Sequence, residues 1–292
     1  MPSDSKKFIT SPVCGFCRGV RMALAVFEET CCKYGKPVYV LHELVHNKFV
    51  SSCMRENGAV FVEDIKDIPA GAVAMIGAHG VGKDVEQEMQ SRFTVVDTTC
   101  PRVRALQIFG SRIKQDQELV FLCKKGHPEA VGVLGHAVTE HIYQISDLHE
   151  AAALPDLKNP VFLSQTTMSG KLVENITQVL KKRFPNLETH GSICDASSRR
   201  QRSAEGLAAK SDAVLVVGST NSSNAAELVN VVERCGKKAW LVEDGNSVAL
   251  EMLSCVDVLG LTAGASTPDD LIEDVKRRLV ELGYSDGGVA DV

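Results

Sequence analysis

The sequence predicts an α/β protein built from three similar units, and three observations carry that prediction. The first is a junction, Val95-Val96-Asp97-Thr98-Thr99-Cys100-Pro101, where a β-branched run ends in cysteine and proline and a helical pattern follows at once. Val and Thr favour a strand, and proline is welcome in the first turn of a helix, where its missing N–H is not needed. A cysteine at such a place meets the dipole and free N–H groups of a helix N-terminus, which favour thiolate. The second observation is that the device recurs: Cys17, Cys100 and Cys194 are each followed by a helix-like mixture of apolar and charged residues. The third is what comes next, in the same order each time: an apolar run, a polar cluster, a second apolar run and a second polar cluster.

The first clusters are His46-Asn47, Gly126-His127-Pro128-Glu129 and Asn221-Ser222-Ser223-Asn224, which fall 27 to 29 residues past the cysteine. The second are Gly77-Ala78-His79-Gly80, Ser164-Gln165-Thr166-Thr167 and Thr262-Ala263-Gly264-Ala265-Ser266, which fall 62 to 72 residues past it. A period of about 90 residues is too long for a solenoid and reads as three α/β units. The units run over 1–100 with Cys17, 101–193 opened by Cys100, and 194–292 opened by Cys194. Set around a pseudo-threefold axis, they would bring three cysteines to one point.

Composition narrows the class. With 292 residues, 44% hydrophobic and 24% charged, the chain reads as an ordinary globular protein with room for three small domains. A net charge of −5 and the lack of any prominent basic stretch argue against a nucleic-acid partner. No apolar run approaches the ~20 residues that span a bilayer, and Met1 to Lys7 is short and polar with no signal-peptide core. A cytoplasmic protein without a membrane partner is expected. In a reducing compartment most of the ten cysteines read as small buried residues. Cys31, Cys32, Cys53, Cys123, Cys235 and Cys255 sit in helical or strand patterns and are expected in the core. Cys14-x-x-Cys17 is a close pair, but no second C-x-x-C completes a four-cysteine zinc site.

Taken in order, 8–13 predicts a strand leading into Gly15-Phe16-Cys17-Arg18-Gly19-Val20, then a helix over 20–32. A strand over 38–41 leads to His46 and to Asn47, which suits the start of a helix over 48–57. A strand over 73–76 ends in Ala78-His79-Gly80. Histidines beyond strand ends lie where open α/β sheets bind ligands, although a lone histidine is more often structural. In the second unit a helix and a strand over 119–123 lead to His127 and Glu129 in one tight turn, a candidate acid–base pair whose carboxyl stays protonated if the site is dry. A strand over 161–163 leads to the hydroxyls of Thr166 and Thr167. The third unit begins at Ser192-Ile193-Cys194. Its strand over 213–217 opens into a cluster of small hydrogen-bonding residues at a helix start, an anion site in type. A strand over 256–261, the cluster ending in Ser266 and a helix over 269–282 follow, and the tail, 283–292, reads as frayed.

Neither G-x-x-x-x-G-K-S/T nor a strand–helix G-x-G-x-x-G occurs, so the commonest nucleotide folds are set aside. Three thiolates near one point suit a 4Fe–4S cluster, whose fourth iron would stay open to a substrate oxygen. His46, His79, His127, Ser222, Ser223, Asn224 and Ser266 would supply donors for an anion such as a diphosphate, with Glu129 and Thr166 as proton carriers. The same residues leave open a three-cysteine dehydratase of the quinolinate synthase kind, although a carboxylate substrate more naturally takes Arg or Lys clamps. A non-catalytic iron–sulfur or zinc sensor is open too, but it has no need of Glu129 and Thr166.

The stretches GFCRGV, ELVHNKFV, GAHGV, DTTCPRV, GHPEAVG, SQTTMS, SICDASSRRQ, VVGSTNSSNAAEL and GLTAGASTPDDLI cover nearly the whole chain. In these the sequence resembles the 4-hydroxy-3-methylbut-2-enyl diphosphate reductases, the iron–sulfur enzymes that end the methylerythritol phosphate route to isoprenoids. The resemblance implies a pseudo-threefold trefoil of three α/β domains around a central 4Fe–4S cluster held by Cys17, Cys100 and Cys194. It implies reductive dehydroxylation of the allylic diphosphate to isopentenyl and dimethylallyl diphosphates, the substrate hydroxyl being bound at the open iron. His46, His79, His127, Thr166, Thr167, Ser222, Ser223, Asn224 and Ser266 would hold the substrate, and Glu129 would relay the proton with Thr166 orienting the hydroxyl. A monomer served by an external donor of ferredoxin or flavodoxin type is implied as well. Three positions depart from the family's commonest pattern: Asp195 stands where a larger residue is frequent, Arg199 replaces a frequent Asn, and Cys14 is an extra thiol.

Overall fold

The computed structural model describes residues 6–191 and 193–292; Met1–Ser5 and Ser192, two residues before Cys194, lie outside the described residues. The first stretch of chain runs β1 (Lys7–Thr10), α1 (Arg18–Tyr34), β2 (Val38–Leu41), α2 (Lys48–Glu56), β3 (Ala59–Val62), β4 (Val73–Ile76), α3 (Lys83–Arg92) and β5 (Thr94–Asp97). The second runs α4 (Pro101–Arg112), β6 (Glu118–Leu122), α5 (Pro128–Leu134), β7 (Ile142–Ile145), α6 (Leu148–Ala152), β8 (Pro160–Ser164), α7 (Gly170–Arg183) and β9 (Glu188–Thr189). The third runs α8 (Asp195–Lys210), β10 (Ala213–Val217), α9 (Ser223–Arg234), β11 (Lys238–Val242), β12 (Val258–Ala263), α10 (Asp269–Glu281) and β13 (Ser285–Val289).

These strands form three all-parallel sheets, matching in number the three α/β units that the sequence predicts, in the orders β3-β2-β4-β5, β7-β6-β8-β9 and β11-β10-β12-β1-β13. Parallel sheets need both faces covered, and the second sheet shows how the sequence arranges it. Val120, Leu122 and Phe162 pack with Ile176 and Leu180 of α7, while the alternate residues Leu119, Phe121, Val161 and Leu163 pack with Leu106 of α4 and Val133 of α5. In the third sheet Leu215 and Leu261 face Val275 and Leu279 of α10, and Val214 and Val216 face Leu207 of α8 and Leu228 of α9. Each such fully buried side chain contributes about 1.5–3 kcal/mol relative to exposure.

The sheets depart from boundaries at residues 100 and 193. The chain divides into one compact unit of 1–18, 46–50 and 195–292, which holds the five-stranded sheet, and one of 19–45 and 51–194, which holds the two four-stranded sheets. Strand β1 belongs to the third sheet, where Phe8 pairs with Leu259 and Thr10 with Leu261. The repeat is therefore cyclically shifted. In each sheet the fourth strand, β5, β9 or β1, is the one that leads into a cysteine, so the cysteine closes a sheet rather than opening one.

Two further expectations are corrected. The tail is ordered: Ser285–Val289 pairs in parallel with β1, Ser285 N–H donates to Lys6 O at 2.8 Å, and Ala290 N–H donates to Thr10 O at 2.8 Å. All five residues of that strand are exposed, so backbone pairing forms it and no apolar pattern marks it. At Gly287 a Cβ would stand 3.0 Å from the Phe8 carbonyl oxygen, which explains a glycine there. Of the six cysteines expected in the core only Cys123 is buried; Cys31 and Cys53 are half-buried, and Cys32, Cys235 and Cys255 are exposed. Helical periodicity places a residue on a helix without telling which face it takes, and Cys32 lies on the outer face of α1.

Candidate active site

Each predicted site residue falls at the carboxyl end of a parallel strand, where ligands of such sheets bind. In the unit of the five-stranded sheet, Ser222, Ser223 and Asn224 follow β10, Ser266 follows β12, Cys17 follows β1, and His46 lies just before α2. In the other unit, His79 follows β4 and Cys100 follows β5, while His127 and Glu129 follow β6, Thr166 and Thr167 follow β8, and Cys194 follows β9.

The three cysteines share one local geometry. Each stands immediately before a helix, α1, α4 or α8, none is in a disulfide, and each is partly exposed. Cys100 is the N-cap of α4, and its side chain makes no capping bond to the helix. The backbone N–H of each donates to a carbonyl in the second polar cluster of its own sheet: Cys17 to Ala265 at 2.9 Å, Cys100 to Ala78 at 3.0 Å and Cys194 to Thr166 at 3.0 Å. One bond, made three times, thus fixes a thiol beside each strand-end loop.

Glu129 is the most unusual titratable group of its unit. It is 1% exposed, and its two carboxyl oxygens accept from the same residue, Oε1 from Thr166 N–H at 2.7 Å and Oε2 from Thr166 Oγ1 at 2.8 Å. Burial pushes its carboxyl up to about 7, against the two Thr166 bonds, which pull it down. The strand-to-helix turn builds this arrangement. His127 is the N-cap of α5, with Pro128 in the first turn, and its Nδ1 accepts from Glu129 N–H at 3.1 Å. An accepting Nδ1 carries no hydrogen, which assigns the ring hydrogen to Nε2 and leaves it as a donor. The His79 ring meets the His127 ring edge-on, with centroids 5.5 Å apart.

The other unit holds a site of a different kind. Ser222 caps α9, its Oγ accepting from Ala225 N–H at 3.3 Å. Asn224 Oδ1 accepts from Ala265 N–H at 2.9 Å, and Ser266 Oγ donates to His46 O at 3.0 Å. Ser223 Oγ and Asn224 Nδ2 are buried and have no hydrogen-bond partner among the described residues. Buried polar atoms are paired as a rule. Two open ones at the N-terminus of a twelve-residue helix could serve as donors to an anion.

The sequence reading missed Gln165. It is fully buried, its Oε1 accepts from Lys124 N–H at 2.9 Å, and its Nε2 donates to Thr167 Oγ1 at 3.1 Å, so it ties the two strand-end loops of the second sheet together. Its only sequence signal is its place beside Thr166.

Among curated relatives, the 4-hydroxy-3-methylbut-2-enyl diphosphate reductase of Histophilus somni is 38% identical over 286 residues, 95% of this chain and 91% of the relative. The structure of the E-1-hydroxy-2-methyl-but-2-enyl-4-diphosphate reductase from Plasmodium falciparum superposes with a TM-score of 0.92 at 29% identity, covering 98% of this chain and 92% of that one. A second solved structure, of (E)-4-hydroxy-3-methyl-but-2-enyl diphosphate reductase, the terminal enzyme of the non-mevalonate pathway, gives a TM-score of 0.67 at 25% identity over 94% of this chain and 99% of that one. The LytB protein family matches residues 9–280, and the chain belongs to that family.

Proposed function

We propose that this chain is the terminal reductase of the non-mevalonate pathway and removes the hydroxyl of (E)-4-hydroxy-3-methylbut-2-enyl diphosphate. Substrate, two electrons and two protons give water and either isopentenyl or dimethylallyl diphosphate. The observation that carries the reading is the buried Glu129–Thr166 pair, because neither a sensor nor a binding module needs a carboxyl that keeps its proton near neutral pH.

Membership of the family implies a metal cofactor. The residues fit a 4Fe–4S cluster: three partly exposed thiols, each at the start of a helix and each anchored through its backbone N–H. Cys17, Cys100 and Cys194 would hold it, and when bound it supplies electrons one at a time.

The rest falls to side chains of this chain. Ser223 Oγ and Asn224 Nδ2 donate to the diphosphate at the N-terminus of α9, with Ser222 and Ser266 beside them. His46, His79, His127 and Thr167 line the remaining substrate contacts, His127 through its Nε2 hydrogen. Protonated, Glu129 reverses the 2.8 Å bond that Thr166 Oγ1 makes to its carboxylate, Oε2–H then donating to Thr166 Oγ1. Thr166 accepts that proton and donates its own hydroxyl hydrogen to the substrate hydroxyl, which leaves as water. The burial that keeps Glu129 protonated also keeps bulk water from competing for that transfer.

Among the described residues no helix is long and apolar enough to cross a membrane. An external donor of ferredoxin or flavodoxin type belongs to this reading, as does a monomer working in the cytoplasm. The test is oxidation of a reduced viologen by anaerobically purified, cluster-loaded protein. Oxidation that depends on 4-hydroxy-3-methylbut-2-enyl diphosphate and yields both isoprenoid diphosphates is the expected result. No oxidation by protein that carries its cluster would sink the reading.

A further inference from the structure

We propose that Arg200 is a positioning residue for the metal centre: one buried guanidinium ties the Cys17 loop to the helix that follows Cys194 and sets a fixed positive charge beside it. The proposal rests on Cys17 and Cys194 being cluster ligands. Arg200 lies on the second turn of α8 and is only 4% exposed. Two different nitrogens of its fork are engaged. Nη2 donates to the carbonyl of Gly15, two residues before Cys17, and Nη1 donates at 3.0 Å to the carbonyl of Ala196, two residues after Cys194. A guanidinium suits this task because it is planar, carries several donors in fixed directions and is charged at every accessible pH.

The loop that Arg200 grips has little freedom elsewhere. Ser11 Oγ is 2.8 Å from Ser203 Oγ, one turn further along the same helix, and Cys17 N–H is held by Ala265 O at 2.9 Å. Gly15 has φ of +75°, and a Cβ there would stand 2.9 Å from Asp269 Oδ1. The segment 11–17 is thus pinned at several points, and among the hydrogen bonds named Arg200 supplies the positive charge. Reduction adds a negative charge to a cluster, so a buried cation at its ligand loop favours the reduced form, in the way that surrounding charge and hydrogen bonds tune such centres. Two effects follow from one side chain, a geometric one through the fork and an electrostatic one through the charge, and substitution separates them.

The experiment is an anaerobic redox titration of the cluster-loaded holoenzyme, wild type against Arg200→Lys and Arg200→Met, with iron content and iron release to a chelator measured on the same samples. Arg200→Met is expected to shift the one-electron equilibrium about tenfold towards the oxidised form, about 59 mV, and to release iron faster than wild type. Arg200→Lys keeps the charge and loses the fork, so its potential should return towards wild type while iron release stays fast. A side chain that serves only to fill space would give no such split. A wild-type potential in Arg200→Met protein with full iron content overturns the proposal. Should the Met variant fail to fold, the Lys variant decides, and wild-type iron release from it overturns the proposal equally. Cys17→Ser is the separate control: a normal cluster in that variant refutes the ligand assignment, and the proposal falls with it.

Discussion

Replacing Glu129 by Gln tests the centre of the proposed chemistry, and its effect can be worked from the fold. The carboxyl is 1% exposed, and burial raises it from about 4.5 to about 7. The folded state therefore binds this proton more tightly than the unfolded chain does. Its contribution to stability is whole below about 4.5, falls as pH rises through the interval up to about 7, and is level above that. At about 1.4 kcal/mol per pH unit, the wild type should lose about 2 to 3 kcal/mol from this group between pH 5 and pH 8. A glutamine fits the same place. Its oxygen can accept from Thr166 N–H and its amide can donate to Thr166 Oγ1, the two atoms that Glu129 now meets. Glu129→Gln should therefore gain stability relative to wild type as pH rises, by about that same 2 to 3 kcal/mol, while turnover falls by roughly 10²–10⁴-fold, the usual worth of a positioned acid. Urea midpoints at pH 5 and pH 8 read the first effect, and viologen oxidation at equal iron content reads the second. A stability difference that is the same at both pH values would refute the claim that the buried carboxyl keeps its proton.

Three other substitutions bear on separate parts of the site. Thr166→Val keeps the backbone N–H that donates to Glu129 Oε1 at 2.7 Å and deletes the hydroxyl. Steady-state kinetics should show a fall in kcat of about 100-fold or more with the iron content unchanged. Ser223→Ala removes a buried hydroxyl that bonds to no described residue, so the melting temperature should stay put. One charge-assisted bond is worth about 1.5–3 kcal/mol, so diphosphate binding, measured calorimetrically, should weaken by about 10- to 100-fold. Gly15→Ala must adopt a φ of +75° with its Cβ 2.9 Å from Asp269 Oδ1. A loss of about 1–2 kcal/mol in thermal unfolding is expected, together with lower iron content after reconstitution.

Much of this architecture is legible in the sequence because its signals are local and repeated. Val73–Ile76 and Ala213–Val217 form as read, since short β-branched apolar runs bounded by polar clusters admit few alternatives. Asn47 starts α2 as expected, its Oδ1 accepting from Val50 N–H at 3.0 Å. The His127–Glu129 turn was legible for the same reason, because N-cap, proline and carboxylate lie within three residues. What escaped depends on distant partners. The strand Ser285–Val289 carries no periodic signal and forms because β1 offers it an edge far away in sequence. Gln165 gains its role from Lys124, some forty residues earlier, and Arg200 from Gly15, 185 residues earlier. No window of a single sequence contains those pairs.

The cyclic shift of the repeat explains why three cysteines can be presented alike by loops whose sequences differ. In the two four-stranded sheets the cysteine follows a strand that pairs with the strand before the second polar cluster, β5 with β4 and β9 with β8. In the third sheet the strand that follows β12, β13, takes the edge instead, and β1 from the other end of the sequence fills that position, lying between β12 and β13. The backbone bond from cysteine to cluster carbonyl is then the same in all three, at 2.9 to 3.0 Å. The third one joins residues nearly 250 positions apart, so no chain continuity holds it in place. That is where the structure adds Arg200, Ser203 and the close approach at Gly15, all bearing on the Cys17 loop. The Cys100 and Cys194 bonds close short stretches of chain, whereas the Cys17 loop depends on partners far away in the sequence.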